Sequence, residues 1–233
     1  MSSETLKDSL DACVQRCRDM DAPLSARLKG FADHLRLNDP VFAEVIDKLV
    51  DRLEASGAGS GAPRPGDVMP PFVLPDETGR LVSLGELLED GPLVAAFHRG
   101  HWCPYCRISV DALARLEPKV REAGGRIVVV TPEVQRFNRQ LKSDAGSRFP
   151  LLTDIDSGYA LELGLAFRID DASRSAMEAR GRNLPTFQAS ESWTLPIPAT
   201  FVIGRDGRII ARFVDPDYRK RMEIEDILAA VKR

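Results

Sequence analysis

Apolar residues recur at helical spacing through the first part of the chain. From residue 4 to about residue 55 they occur every three or four positions among charged residues, as in amphipathic helices. Pro23 and the run Asn38-Asp39-Pro40 interrupt this pattern, and proline ends or kinks a helix. The pattern predicts three short helices, which we assign to an N-terminal helical extension of residues 1–55.

A segment of small residues comes next. Residues 56–66 consist of glycine, alanine, serine, proline and one arginine. Such a composition supplies no side chains for a core, and it predicts a flexible linker. We therefore expect a main domain over residues 67–233.

In the main domain, apolar runs alternate with helical patterns. Residues 92–97 and 126–130 have the unbroken apolar character of strands that are buried on both faces. Residues 199–213 predict a hairpin that turns at Asp206-Gly207. The expected fold class is α/β, with a central mixed sheet flanked by helices. Residues 170–195 fit neither period and are predicted to be an insertion that folds over the site.

The charge balance argues against several classes of partner. With 32 basic and 35 acidic residues the net charge is −3, so no strong field attracts nucleic acid or anionic lipid. The first thirty residues lack the basic start and apolar run of a signal peptide, and no run of eighteen apolar residues occurs. We expect a soluble, cytoplasmic protein without nucleic acid or membrane partners.

The four cysteines form two close pairs, which are too few for a disulfide scaffold. Cys13 and Cys17 stand four residues apart on a predicted helix, where the sulfurs lie too far apart for an unstrained disulfide. We interpret them as small buried apolar residues in preference to a redox relay.

Cys103-Pro-Tyr-Cys106 follows a predicted buried strand and opens a predicted helix. The positive end of the helix dipole lowers the pKa of a cysteine at this position, and the thiolate is the reactive form. The spacing lets one cysteine resolve a sulfenic acid or mixed disulfide on the other. Pro104 suits the first helical turn, where its missing N–H costs nothing. These features predict catalytic thiol redox chemistry at Cys103 and Cys106.

Residues around the motif are candidates for shaping the site. Arg99 is suited to stabilise a thiolate or an anionic substrate, and His101 to carry a proton near neutral pH; a solvated loop position is the alternative for each. Trp102 and Tyr105 flank the sulfurs and predict an apolar docking surface, with Trp193 as a second wall; plain packing is the alternative.

Metal and cofactor sites are not expected. A closed zinc site needs about four ligands, and the chain offers only three histidines and the distant Cys13 and Cys17 besides the motif. Glycines at positions 57, 59 and 61 follow no predicted strand, so they do not form a dinucleotide-binding fingerprint.

Three stretches carry a family resemblance: residues 66–74, residues 99–106 and residues 198–207, the last reading Pro-Ala-Thr-Phe-Val-Ile-Gly-Arg-Asp-Gly. From about Gly66 onward the chain resembles the thioredoxin superfamily and, within it, peroxiredoxin-like redoxins of the alkyl hydroperoxide reductase and thiol-specific antioxidant type. The resemblance implies a thioredoxin-like fold. It also implies a cis proline against the active cysteines. Pro198, two residues before Thr200, is the candidate, and Pro196 is the rival.

The resemblance includes departures. Peroxiredoxins carry the spacing Pro-x-x-x-Thr-x-x-Cys and a later arginine. With Cys106 in that register, Arg99 replaces the proline, Cys103 replaces the threonine and Pro198 stands about where the arginine belongs. The thioredoxin register needs no substitution, and it makes Cys103 an exposed nucleophile with Cys106 as its resolving partner.

Three functions remain open. The preferred one is a peroxiredoxin-like thiol peroxidase that cycles between a dithiol and a Cys103–Cys106 disulfide and takes electrons from a thioredoxin- or glutathione-type reductant. The second is a thiol–disulfide oxidoreductase acting on protein or small-molecule disulfides. The third is a non-catalytic redox sensor. For the N-terminal helices, homodimer formation and packing against the chain's own main domain are both open.

Overall fold

The computed structural model describes residues 5–233. The strands of the protein are β1 Val73–Pro75, β2 Leu81–Ser83, β3 Leu93–Phe97, β4 Arg126–Thr131, β5 Leu151–Thr153, β6 Ala166–Arg168, β7 Thr194–Pro196, β8 Ala199–Ile203 and β9 Ile209–Val214. Five of them form the central sheet, in the spatial order β5-β4-β3-β8-β9. The helices are α1 Leu6–Asp19, α2 Leu24–Asn38, α3 Pro40–Ala55, α4 Leu84–Leu88, α5 Pro104–Glu122, α6 Gln135–Ala145, α7 Gly158–Glu162, α8 Asp171–Glu178, α9 Leu184–Gln188 and α10 Ile224–Val231.

The central sheet is mixed, as predicted. Strand β3 pairs in parallel with β4 and antiparallel with β8, and all five of its residues are buried. Because helices cover both faces, these strands can be apolar throughout. One apolar cluster on the first face includes Phe97, Phe201 and both motif cysteines, while Val94 and Val202 belong to a second cluster on the other face. Gly207, with φ +81°, forms the turn between β8 and β9.

The three predicted N-terminal helices are present, and their boundaries follow local chemistry. Thr5 caps α1, and Asp39 caps α3 by accepting a hydrogen bond from the N–H of Phe42 at 3.1 Å. The buried carboxylate of Asp111 on α5 accepts from Arg18 at 3.1 Å and from Arg27 at 3.0 Å. The helices therefore pack against the main unit, as one of the two alternatives expected.

Residues 56–66 form a succession of hydrogen-bonded turns. Ala62 is buried, and a Cβ on Gly59 would collide with Val214. The segment therefore packs against the main unit instead of extending away from it. Small residues allow the backbone to approach its neighbours closely, as well as giving it conformational freedom. The division of the chain into domains remains a prediction.

The segment from Asp170 to Leu195 contains α8, α9 and part of β7. Arg180 on it forms a two-pronged ion pair with Asp39, at 2.5 and 2.7 Å. A second ion pair joins Arg52 of α3 to Asp170 at 3.0 Å. The insertion is thus held against the N-terminal helices. Among residues 5–233, no helix has the length and apolarity that crossing a bilayer requires.

Candidate active site

The two motif cysteines lie at the start of α5, directly beyond the carboxyl end of β3. Cys103 is the N-cap residue, Pro104 occupies the first helical turn, and Cys106 lies one turn into the helix. All four cysteines of the chain are free thiols. Both motif cysteines have 0% exposed surface, so the expectation of an exposed nucleophile at Cys103 is wrong. Side chains from elsewhere in the fold cover the motif, and a local sequence pattern does not report such cover.

Two arginines contact the sulfurs. The Nη2 group of Arg99 donates to Cys103 Sγ at 3.1 Å, and the backbone N–H of Arg99 donates to Cys106 Sγ at 3.4 Å. Arg221 lies on the segment between β9 and α10, and its Nη2 lies 3.7 Å from Cys106 Sγ. The guanidinium of Arg99 also lies 3.3 Å from the centre of the Tyr218 ring. The predicted role of Arg99 beside a thiolate therefore has a geometric basis.

The surroundings drive the pKa values of the two thiols in opposite directions. Burial alone raises the pKa of Cys103, but the hydrogen bond with Cys106 and the charge of Arg99 outweigh it, and the net pKa lies well below the usual range. Burial and the interaction with Cys103 hold the pKa of Cys106 well above that range. The surroundings thus favour ionisation of Cys103 over ionisation of Cys106.

His101 lies beside the cysteines and is held by a buried carboxylate. Glu133 accepts from the backbone N–H of His101 at 2.6 Å and lies 3.2 Å from its Nδ1. The imidazole stacks on Phe137 at 4.9 Å and meets the edge of Phe187 at 5.7 Å. Burial raises the pKa of Glu133, against the opposing effect of the bonds from His101. The candidate proton carrier is therefore fixed in one orientation.

Glu133 is a site residue that sequence reasoning missed. It follows β4, the parallel neighbour of β3, so both strands deliver their next residues to the same edge of the sheet. The position of Glu133 just after the predicted buried strand over residues 126–130 could have indicated its place at the site. Helix α6 begins two residues later, at Gln135. Tyr218, Arg221 and Arg182 were also missed, and they come from irregular segments without a periodic pattern.

The aromatic candidates divide between two locations. Trp102 stacks over Phe187 at 6.3 Å and lies at the site. Tyr105 is buried and packs edge-on against Phe31 at 5.1 Å, so it joins α5 to the N-terminal helices. Trp193 is also buried, with Arg174 4.8 Å from the centre of its ring. It does not line either of the two cavities described below.

The expectation of a cis peptide bond at Pro198 is wrong: residues 5–233 contain no cis peptide bond, at Pro196 or elsewhere. The N–H of Ile197 bonds to the carbonyl of Leu165 at 2.7 Å, and only Ile197 and Pro198 lie between β7 and β8. No tight turn offsets the cost of the cis form here. Thr200 lies on β8 between Ala199 and Phe201, which belong to the cysteine cluster, so its side chain points to the opposite face.

Two cavities lie next to residues that flank the cysteines, and neither motif cysteine lines them. The inner one, of about 20 Å³, is lined by residues that include Arg99, Trp102, Tyr218 and Arg182. It has room for about one water-sized molecule. Among residues 5–233, Arg99 Nε and Trp102 Nε1 are buried donors without an acceptor. The outer groove, of about 690 Å³, shares Trp102, Pro104 and Arg182 with the inner cavity.

No group of three or more metal-ligating side chains occurs within residues 5–233. His98 is fully buried and lies 3.1 Å from the hydroxyl of Ser109. Burial, assisted by the charge of Arg221, lowers its pKa to about 3, so the imidazole is neutral.

Cys13 and Cys17 are buried with their sulfurs 4.0 Å apart, and burial raises the pKa of Cys17 to about 11, as expected for apolar packing.

Comparisons with known proteins agree with this architecture. A protein of Mycobacterium tuberculosis that is named as a peroxiredoxin, in two strains, is 28% identical over 100 residues; the match covers 43% of this chain and 65% of the relative. The chain thus spans less than two thirds of the relatives' length. The crystal structure of the peroxidoxin BcpB from the same species superposes with a TM-score of 0.57 at 21% identity, over 73% of this chain and 97% of that one.

A cysteine-to-serine mutant of the peroxiredoxin 6 of Arenicola marina superposes with a TM-score of 0.55 at 19% identity, over 72% and 71% of the two chains. At these identities the superpositions show the thioredoxin-like fold of the peroxiredoxins. The model of the AhpC/TSA family matches residues 65–212, which is more than half of the chain. That span includes the motif cysteines, Arg99 and Glu133, and this chain belongs to the AhpC/TSA family.

Proposed function

We propose that this protein is a thiol peroxidase in which Cys103 attacks hydroperoxides and Cys106 resolves the product. The observation that carries the proposal is the Arg99 guanidinium 3.1 Å from Cys103 Sγ at the start of α5. A helix N-terminus and a buried cation both stabilise a thiolate, which is the form that attacks peroxide.

The reaction has two steps within the protein. The Cys103 thiolate attacks the terminal hydroxyl oxygen of the peroxide, so an S–O bond forms as the O–O bond breaks and the sulfur becomes a sulfenic acid. The other oxygen leaves with its substituent and takes up a proton, which gives an alcohol, or water from hydrogen peroxide. Cys106 sulfur then attacks that sulfenic sulfur, forming the disulfide and releasing water with the Cys106 proton. Two electrons from an external thiol reductant restore the dithiol.

The small inner cavity favours peroxide over a disulfide as the oxidant. A protein disulfide must bring its own sulfur to the nucleophile, whereas Cys103 has no exposed surface. Hydrogen peroxide is little larger than water and matches a cavity of about 20 Å³. The partnerless donors Arg99 Nε and Trp102 Nε1 are suited to peroxide oxygens. A cytoplasmic location, the class of reductant and a homodimer remain predictions.

Rapid mixing of the reduced protein with hydrogen peroxide, followed by sulfenic acid trapping and mass analysis, tests the proposal. We expect Cys106→Ser to accumulate sulfenate on Cys103, and Cys103→Ser to form none at a comparable rate. Cys17→Ser, a change in the other cysteine pair, is the matched control and should behave as wild type.

Two outcomes would overturn this assignment. Rapid sulfenate formation in Cys103→Ser would make Cys106 the attacking cysteine. If neither single variant reacts faster than free cysteine, the site does not reduce peroxide, and insulin disulfide reduction would then separate disulfide exchange from a redox sensor.

A further inference from the structure

The outer groove is lined both by N-terminal residues outside the family match and by residues inside it. Leu10 and Phe42 come from the N-terminal helices, before residue 65 where the AhpC/TSA match begins, and Phe187 comes from the insertion. Its volume of about 690 Å³ lies within the range of sites for organic ligands of some size. Hydrogen peroxide alone would leave this space unused, so a substrate of that size does not explain the groove.

Most charges around the groove pair with one another. Arg180 is paired with Asp39, and Arg107 with Asp11 at 2.7 Å. These pairs offer little net charge to a ligand, because each cation already has its carboxylate. Two further lining residues of opposite sign are Lys7 and Asp144.

Arg182 differs from the paired arginines. Within residues 5–233, no carboxylate or carbonyl accepts a hydrogen bond from its guanidinium, which lies 5.2 Å from the centre of the Phe42 ring. It lines both cavities, at the junction of the groove with the inner space beside Arg99. Burial lowers its pKa, and the charges of Arg99 and Arg180 add to that effect. A half-buried cation without a partner is available to pair with an anion that enters the groove.

We propose that the groove binds the organic part of a hydroperoxide substrate and that Arg182 binds a carboxylate on that substrate. The inference rests on the proposed peroxidase function and names its preferred substrate class, organic hydroperoxides that carry a carboxylate. The apolar walls take the carbon skeleton, the planar guanidinium suits a carboxylate, and the peroxide group enters the inner cavity. The chemical step is the sulfenate reaction described above, with a carboxylated alcohol leaving.

The test compares alkyl hydroperoxides that end in a carboxylate with their methyl esters, at several chain lengths. For wild type we expect kcat/KM for the best acid to exceed that of its ester by about tenfold to a hundredfold, the range for a charge-assisted hydrogen bond. Arg182→Gln should bring this ratio close to one, and Arg182→Lys should retain part of it. Arg205→Gln removes an exposed charge at the β8–β9 turn and should leave the ratio unchanged.

Binding of an unreactive long-chain carboxylate, followed through tryptophan fluorescence because Trp102 lines the groove, separates the two proposals. Binding that weakens in Arg182→Gln supports the groove assignment even if no peroxide is reduced. An acid-to-ester ratio near one in wild type would overturn it, as would the same ratio in Arg182→Gln as in wild type. Normal hydrogen peroxide turnover in either case would leave the peroxidase proposal standing.

Discussion

Replacement of Arg99 by methionine removes the cation beside Cys103 while keeping an unbranched side chain of similar length. The lost contact is a charge-assisted hydrogen bond of 3.1 Å, which contributes about 1.5–3 kcal/mol. Coulomb attraction between unit charges about 4 Å apart sets a ceiling of about 4 kcal/mol in the effective dielectric of a protein. We therefore expect the acid dissociation constant of Cys103 to fall about 10- to 150-fold.

The sign of the effect follows from the direction of the present shift. Because the pKa of Cys103 lies below its usual range, the wild-type thiol ionises at a lower pH than an ordinary cysteine. In Arg99→Met the pKa rises, so the acid limb of the peroxide reaction moves to higher pH and the rate at neutral pH decreases. Thiolate absorbance in the ultraviolet, recorded against pH, measures the ionisation without requiring access to the buried sulfur.

Two controls make this test specific. Arg99→Lys keeps a charge and should shift the midpoint of the Cys103 thiol titration less than Arg99→Met does. Arg107→Met removes a nearby arginine whose partner is Asp11, and its midpoint should equal that of wild type. An unchanged midpoint in a folded Arg99→Met protein would refute the assignment of Arg99 as the residue that stabilises the thiolate.

Two further predictions concern stability in denaturant. Asp111→Asn removes the carboxylate that joins the N-terminal helices to α5 and leaves the buried Arg27 guanidinium without its anion, so we expect a loss of about 3 kcal/mol. Gly100→Ala places a Cβ where the Glu133 carboxyl group lies, at a backbone φ of +129°, and should cost more than the ~1–3 kcal/mol of backbone strain alone.

Exposed positions supply the reference values for both measurements. Asp33→Asn breaks a surface pair with Lys29 at 2.6 Å and should cost less than about 1 kcal/mol. Gly79→Ala changes a glycine at φ +93° with open space around it, so it reports backbone strain without collision. Equal losses within either pair of variants would contradict the packing described for Asp111 or Gly100.

The sequence predicted the elements in which local pattern and tertiary burial agree. Unbroken apolar runs predicted β3 and β4, and Asp206-Gly207 predicted the hairpin turn, because positive φ is required there. The proline interruptions at Pro23 and Pro40 separate the helices as expected. The position of Cys103 at a helix start also followed from the strand, the motif and Pro104 in sequence.

The residues that surround the motif cysteines could not be predicted from local sequence pattern. Tyr218, Arg221 and Arg182 belong to segments without hydrophobic periodicity. Only the folded chain brings Arg221 to Cys106, and Tyr218 and Arg182 to the inner cavity beside Arg99. The exposed nucleophile and the cis proline were expected by analogy with other thioredoxin-like proteins. Both features depend on neighbouring chain segments, so the motif alone did not determine them.

Two physical properties of Cys103 have separate origins in this chain. Its ionisation depends on the start of α5 and on Arg99, which lie inside the span matched by the AhpC/TSA family. The inner cavity beside Arg99 depends on Tyr218, beyond that span, and on Arg182 from the insertion, held against the N-terminal helices through the Arg180–Asp39 pair. Substitutions in the first group should therefore change the pKa of the thiol. Those in the second should chiefly change which oxidants reach it, so reactivity toward hydrogen peroxide and selectivity among organic hydroperoxides can vary independently.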